Sequence, residues 1–534
     1  MNRKILVLPA VAGLLVPALA ACGGSDGGSD GGDAIVTGTT DRFIATKDAP
    51  APVDPAYSYD VGSWNVLRQT VQTLMIQPRG EGEPVPEAAE SCRFTDTGNE
   101  RYVCKLREGL KFSDGGTVTA EDVKYSVDRA RAIEADSGVF ALLSTIDTVE
   151  TSGDREVIFH LKTSDATFPY KLSTPVAGIV NPDDYAKDKL RDGFEISGSG
   201  PYTLKPEVKD GEMVSAAFTK NPHYKGSLKV NNEKVDLRSF KDADTMGGAL
   251  EKGDIDVMTR SMSPEQIQKL SESADTDIEL VEIQGLEIRY LGFDTDAATV
   301  RDKAVRQAMA QLIDRSALVS KVYGTQAEPL YSMVPAAITG HSNSFFNKYG
   351  DPDVTKAKNL LTDANVATPV KLTLNYTTDH YGAATQQEFE LLRKQLNDSG
   401  LFDVTIKGTA WDAFVPAERK GSYEVYGMGW FPDFPDADNF IAPFLDEDNF
   451  LNSPYANNRI IDSLIPQSRR EADRLAASDP LTEIQDIVAE DVPLLPLWQG
   501  KQYVAARDDI TGTAYVVNSS STLQLWELNR GVGG

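Results

Sequence analysis

The sequence predicts an α/β fold built from more than one domain. From residue 289 onward, short β-branched and apolar runs alternate with segments whose apolar residues recur at helical spacing. Earlier, LREGLKFSDGGTVTAEDVKYSVDRA (106–130) reads as strand, turn and capped helix. The chain has 534 residues, more than the roughly 250–300 at which single cores stop growing, so two or three domains are expected. Its make-up, 41% hydrophobic and 25% charged, is that of a globular protein. A formal charge of −27 argues against nucleic-acid or anionic-membrane contact, because both need a basic surface.

The first residues read as an address. Arg3 and Lys4 precede a short apolar run, Ile5 to Leu19, which Pro9 and Pro17 break; it is too short to make a good membrane span. It ends in LAAC (19–22), followed by GGSDGGSDGGD (23–33). A small-residue cleavage site with cysteine next resembles a bacterial lipobox, which implies a signal peptide over 1–21 and diacylation of Cys22. The Gly/Asp run then serves as a flexible tether over 22–40. With Cys22 assigned to lipid, Cys92 and Cys104 remain as a pair for an oxidising compartment. Asp96, Gly98 and Asn99 make a turn between two strand-like runs, so the two cysteines can face each other across a hairpin. The four histidines are scattered, and no metal or cofactor is expected.

The fold starts near 34–44. In DPAYSYDVGSWNVLRQTVQTLM (54–75) a Tyr-rich loop becomes a helix near Ser63, a plausible N-cap, with Val66, Thr70, Val71, Leu74 and Met75 as its apolar face. Tyr59 and Trp64 can face either a cleft or the neighbouring core. Thr119 caps a helix carrying Val123 and Val127. A hairpin follows around Ser152–Asp154, and after a boundary near residue 195 another turns at Asp210-Gly211. Residues 244–259 read as helix, Gly turn and strand, and RYLGFDTDA (289–297) as a strand entering a helix that runs to Gly324. Helix 351–366, strand 370–376, helix 385–400 and strand 402–409 continue the alternation, which predicts a parallel or mixed sheet. A final helix and a proline-framed strand occupy 479–506.

MGWFPDFPDADNF (428–440) concentrates Trp430, Phe431, Phe434 and Phe440 beside Asp433, Asp436 and Asp438. Pro432 and Pro435 lack an N–H, so the segment is read as a shaped loop and not as helix interior or central strand. It follows the strand in SYEVYGMGW (422–430), where open α/β sheets place their ligands. Aromatic faces beside isolated carboxylates suit something partly apolar and cationic, such as the amino end of a peptide.

Several segments resemble, in order, the extracellular solute-binding proteins of the oligopeptide, dipeptide and nickel class (family 5) of ABC importers. They are FSDG and TAEDV in 106–130, GSGPYTL with FTKNPHY, ALEKGDIDV, LGFDT with VRQAMAQLIDRSALV, and EIQDIVAEDVPLLPLW. The resemblance spans about residues 40 to 505. It implies a periplasmic-binding-protein-like clamshell of the cluster C type: two α/β lobes with mixed sheets plus an inserted domain. Domain I is expected over 41–75, 195–285 and 495–534, domain II over 76–194 and domain III over 286–494. The implied function is capture of oligopeptides or dipeptides by hinge closure and delivery to a membrane permease. The expected form is a monomer, lipid-anchored on the extracellular face of the cell membrane and touching that membrane through the anchor alone.

Peptide binders of this family use a Trp-x-x-Asp step whose carboxylate pairs with the ligand's amino terminus. Here that step is Trp430-Phe431-Pro432-Asp433, so Asp433 is the expected amine anchor. Trp430 is expected to line a side-chain pocket, and backbone groups of Gly429 and Phe431 to pair with an extended peptide. Asp436-Ala437 stands where the family has Asp-Pro. Tyr59 and Trp64 are weaker candidates for ligand contact, and no basic group for a carboxyl terminus stands out.

An enzyme reading finds no GxSxG elbow, HExxH or P-loop. Asp254/Asp256 and Asp436/Asp438 could ligate calcium, but no EF-type loop is present. Other readings are a binder of an oligosaccharide, favoured by the aromatics, a binder of a metal chelate such as nickel's, or a surface receptor for signal peptides.

Overall fold

The computed structural model describes residues 34–531, except 48, 80, 81, 136 and 274–276. The expected signal peptide and Cys22 lie outside the described residues. No helix among the described residues is long and apolar enough to cross a membrane.

One mixed sheet of twelve strands runs through the molecule. From one edge its main path is Phe402–Thr409, Val370–Thr377, Val425–Trp430, Ile278–Phe293, Leu494–Arg507, Val257–Thr259, Ile35–Thr39, Lys234–Ser239, Glu212–Lys220 and Phe43–Ile44. Ile35–Thr39 lies parallel to both neighbours, and Val370–Thr377 is parallel to the strands beside it. The central pair is antiparallel, in register from Ile278 opposite Arg507 to Gly292 opposite Leu494. Both of its strands are long, 16 and 14 residues, because they pass from one lobe into the other. Leu286 to Trp498 contribute to one hydrophobic core, whereas Val504 and Ala506 of the same returning strand belong to a second core with Ile35 and Val257. Where the strands cross between the cores, the register slips between Gln284 and Ile288. A Cβ on Gly285 would collide there with the Gly500 carbonyl oxygen, so the two backbones approach directly at this pair of glycines.

A separate antiparallel sheet of four strands orders Ala89–Phe94, Arg101–Leu106, Glu156–Leu161 and Ile146–Ser152. Cys92 and Cys104 stand directly opposite in its first hairpin and form a disulfide. The helix Ala120–Ile133 covers the sheet with Val123 and Val127, and Thr119 and Asp122 close its capping box. The 210–211 turn joins Tyr202–Lys209 to Glu212–Lys220 with both residues at positive φ, as a tight two-residue hairpin requires.

Several boundaries differ from expectation. The tether ends before residue 40, because Ile35–Thr39 is already a buried strand paired on both sides. The first helix is Val61–Thr70, and its cap is Asp60, whose carboxylate accepts the Ser63 N–H; Ser63 lies in the first turn. Val71 turns extended, and Met75 belongs to a short strand, so the expected apolar face is cut short. The helix expected to run to Gly324 breaks after Lys303–Leu312: Ile313 is extended, and the Asp314 side chain accepts the Ala317 N–H to cap a new turn. Of the segment 428–440, only 431–437 is irregular. Its first three residues finish a buried central strand, and Asp438 opens the helix Asp438–Leu445. The prolines act where expected, at positions where no ladder N–H is needed.

Candidate functional site

Val425–Trp430 is buried throughout and pairs along its length with Ile288–Phe293. On its other side Val370–Thr377 pairs only at Val425 and Tyr426, so among the described residues the edge from Gly427 onward carries no strand. At the carboxyl end the chain leaves the sheet through Phe431 and Pro432. Two acids then pin the loop. Asp436 takes a bidentate contact from Arg474, at 2.7 and 3.0 Å, and its Oδ1 also accepts the Asp438 N–H. Asp438 is bound by Arg469 at 2.8 and 3.2 Å, and Arg469 reaches Asp446 as well. Asp436 and Asp438 are therefore engaged by arginines, not arranged as calcium ligands. Asp256 is likewise paired, with Arg530.

Asp433 is different, because its partners are neutral. Its Oδ2 accepts the Tyr59 hydroxyl at 3.1 Å and the Asn439 amide at 2.9 Å, while its own N–H donates to Asn439 Oδ1 at 2.8 Å. Both side-chain bonds end on Oδ2, and Oδ1 takes part in neither. The residue is partly accessible, but its surroundings are dense enough that burial pushes the carboxyl up to about 6; the bonds from Asn439 and Tyr59 and the charge of Arg68 hold it from rising further. Burial and the nearby Asp433 carboxylate both push the Tyr59 phenol well up, so it stays a donor.

The expected site residues separate into layers. Tyr59 comes from the first lobe and bonds directly to Asp433 of the second. Trp64 lies behind it. Its ring is 5.6 Å from that of Tyr59, its indole N–H donates to the Ser58 carbonyl, and it is 6% exposed, which is a core position. Trp430 is buried against Phe444 and Phe450 and donates toward Asn439 Oδ1 at 3.3 Å, so it forms the floor beneath the carboxylate. Gly429 faces Arg289, whose guanidinium fills the space that a Cβ would need. Its carbonyl accepts weakly from the Tyr381 hydroxyl at 3.4 Å. Phe431 is partly exposed, close to two arginines.

Sequence reasoning missed Asn439 and Arg68. Asn439 contacts the Asp433 main chain, the Asp433 side chain and Trp430 at once, which no spacing rule announces. Arg68 stands over Trp64 at 5.6 Å and donates to the Ser173 carbonyl; burial lowers it to about 10, against the pull of Asp433.

A family model described as "Bacterial extracellular solute-binding proteins, family 5 Middle" matches residues 83–452. The chain belongs to this family. As a family 5 solute-binding protein it is a transport binding protein and not an enzyme. It is 24% identical over 510 residues to the oligopeptide-binding protein OppA of Bacillus subtilis (strain 168), covering 90% of this chain and 91% of that one. Two solved structures share the fold of this solute-binding protein. One is the ABC transporter-associated periplasmic binding protein DppA from Helicobacter pylori in complex with peptide STSA. Its TM-score is 0.78 and its identity 22%, over 94% of this chain and 98% of that one. The other is a dipeptide binding protein from Pseudoalteromonas sp. SM9913 in complex with Met-Leu. Its TM-score is also 0.78, with 19% identity over 93% of this chain and 100% of that one.

Proposed function

We propose that this family 5 protein captures short peptides between its lobes, with the ligand's α-ammonium on Asp433, and delivers them to an ABC permease. The observation that carries this reading is a crowded carboxylate with hydrogen-bond donors but, among the described residues, no cation bonded to it. Such a group is costly when ionised, and a bound ammonium removes that cost. The stretch from Gly427 to Trp430, beyond the last pairing with Val370–Thr377, supports main-chain pairing with an extended ligand once the lobes part, and the peptide ligands and names of the relatives agree in kind. The division into domains I, II and III, with its ends near 75, 194, 285 and 494, is part of the same proposal; the separate core of residues 286–498 supports setting domain III apart from the rest. Lipid anchoring at Cys22 on the extracellular face also belongs to it. Changing Cys22 to Ser is expected to release the protein to the medium; a mutant that stays with membranes at high salt places the anchor elsewhere.

The test of the site is pH. The Asp433 pKa is raised on folding, so its contribution to the stability of the free protein is present below about 4 and is lost as pH rises through about 6. A ligand ammonium needs the ionised form. Affinity for a free-amine peptide should therefore be flat near pH 7 and fall by about tenfold per unit as pH drops below about 6, with a proton released on binding there. Calorimetry in buffers of different ionisation enthalpy measures both. Affinity that does not change from pH 5 to 7.5 would falsify the assignment.

A further inference from the structure

The first hairpin of the four-stranded sheet reaches the second lobe. The core beneath this sheet is continuous with that of the first lobe: Cys104, Phe159 and Phe168 belong to one cluster with Ile35 and Val257. The second lobe has a cluster of its own. The four-stranded sheet therefore moves with the first lobe, and a bond from it to the second lobe joins two bodies that share no core.

The hairpin holds its tip still. The disulfide Cys92–Cys104 ties its strands, and the Asp96 carboxylate accepts the N–H groups of Gly98, Glu100 and Arg101 at 3.1, 3.1 and 2.9 Å. Asn99 stands at the tip with φ 54°, in the left-handed region that asparagine tolerates better than most residues. It is only 5% exposed, and its side-chain amide donates to the Arg470 carbonyl of the second lobe at 2.8 Å. Next to that carbonyl, the one on Arg469 accepts the Ala166 N–H at 2.8 Å. The two contact points are tied together, because the Asp165 N–H donates to the Asn99 carbonyl at 3.2 Å. Tyr170 adds an apolar contact, its ring 5.8 Å from that of Phe434 in the loop that carries Asp433.

Charge crosses the same gap. Asp165 is fully buried, with the Lys171 ammonium at 2.7 Å. Burial pushes its carboxyl up, but Lys171, then Arg469 from the second lobe, outweigh that push and hold it at about 2. Arg469 in turn binds Asp438 and Asp446, so the segment touched by the hairpin is the one that pins the end of the Asp433 loop. Contacts of this kind are few and polar, and water can replace each of them as the lobes part. They bias closure without fixing it.

We propose that the tip of the cysteine hairpin, with the neighbouring 165–170 turn, is a catch that grips Arg469 and Arg470 of the second lobe and sets the balance between parted and closed lobes for every ligand the cleft takes. The inference rests on capture between the lobes, and it gives the four-stranded sheet a task in that capture which does not depend on the chemistry of the ligand.

Two variants probe the catch. Asn99→Gly keeps the left-handed turn and removes the amide, whereas Asn99→Asp keeps the size and sets a carboxylate against the Arg470 carbonyl. Thr97→Ala, at an exposed position of the same turn, is the control. Trialanine, free and N-acetylated, is titrated calorimetrically into each protein, and small-angle X-ray scattering gives the radius of gyration with and without saturating peptide. Both Asn99 variants are expected to weaken both peptides by one common factor, about two- to tenfold for the loss of one hydrogen bond. If free wild type is already mostly closed, the loss appears instead as a larger radius of the free variants, which peptide reverses. Thr97→Ala should match wild type. Wild-type affinity together with wild-type radius in both Asn99 variants overturns the catch and leaves the peptide reading standing. A loss confined to the free-amine peptide also overturns it, because the hairpin then acts on Asp433 and not on closure. If no peptide binds wild type, the peptide reading falls; a larger radius of the variants then supports the catch alone, and an unchanged radius overturns both.

Discussion

Asp433→Asn should weaken binding of a free-amine peptide by about tens- to thousands-fold. Removing one partner of a buried charge pair costs on the order of 2–5 kcal/mol, and each 1.4 kcal/mol is about a decade in affinity. Asparagine can keep the bond from the Tyr59 hydroxyl and loses only the charge, so the change tests the ion pair and not the scaffold. N-acetylating the peptide should harm wild type to a similar degree and the mutant little further, since the pair is already broken. Calorimetry on the four combinations gives the coupling directly. If acetylated and free peptides bind wild type equally well, Asp433 is not an amine anchor, and an uncharged ligand such as an oligosaccharide becomes the better reading.

The second large effect is on stability. Arg474 and Asp436 form a bidentate pair with side chains only 8% and 6% exposed. Asp436→Ala leaves the guanidinium buried with its main-chain acceptors on Ser468 and Glu471 but without its bonded carboxylate, Asp438 acting only at longer range, and should cost about 3–5 kcal/mol. Replacing both partners by apolar residues of similar size should be far less harmful, because desolvation of the pair is avoided altogether. Urea unfolding followed by tryptophan fluorescence compares the single and double variants, since Trp430 and Trp498 both lie in the core of this lobe. A single variant as stable as wild type would mean that the loop is held by Asp438 and Arg469 alone.

Much of the second lobe was legible because its signals are local. The strands Val370–Thr377 and Phe402–Thr409 and the helix Thr385–Asp398 follow from periodicity and from glycine at 400, which has positive φ. The cysteine hairpin was readable from turn residues between two β-like runs. Competition between neighbouring polar residues was harder to read. Asp60 and Ser63 both suit a cap, and the geometry chose the aspartate. Asp314 restarts a helix inside a pattern that looked continuous. The candidate site was half legible. Its acid lay in a recognisable loop, but Tyr59 and Asp433 are 374 residues apart in the chain, and nothing local told Tyr59 from Trp64. Asn439, Arg68 and Arg469 gain their roles only from tertiary neighbours.

The returning strand Leu494–Arg507 has a consequence for how the chain becomes a protein. It lies inside the sheet, between Val257–Thr259 and Ile278–Phe293, so neither lobe has a complete sheet until residues near the carboxyl end exist. The first helix waits longer still: Asn65 bonds the main chain at Ser521 and Leu523. Order of synthesis and order of folding are thus uncoupled, and contacts across such sequence separations form slowly. In a nascent chain of this design the twelve-stranded sheet stays incomplete until its last segment arrives. That is the state in which a polypeptide can be threaded across a membrane before it folds on the far side.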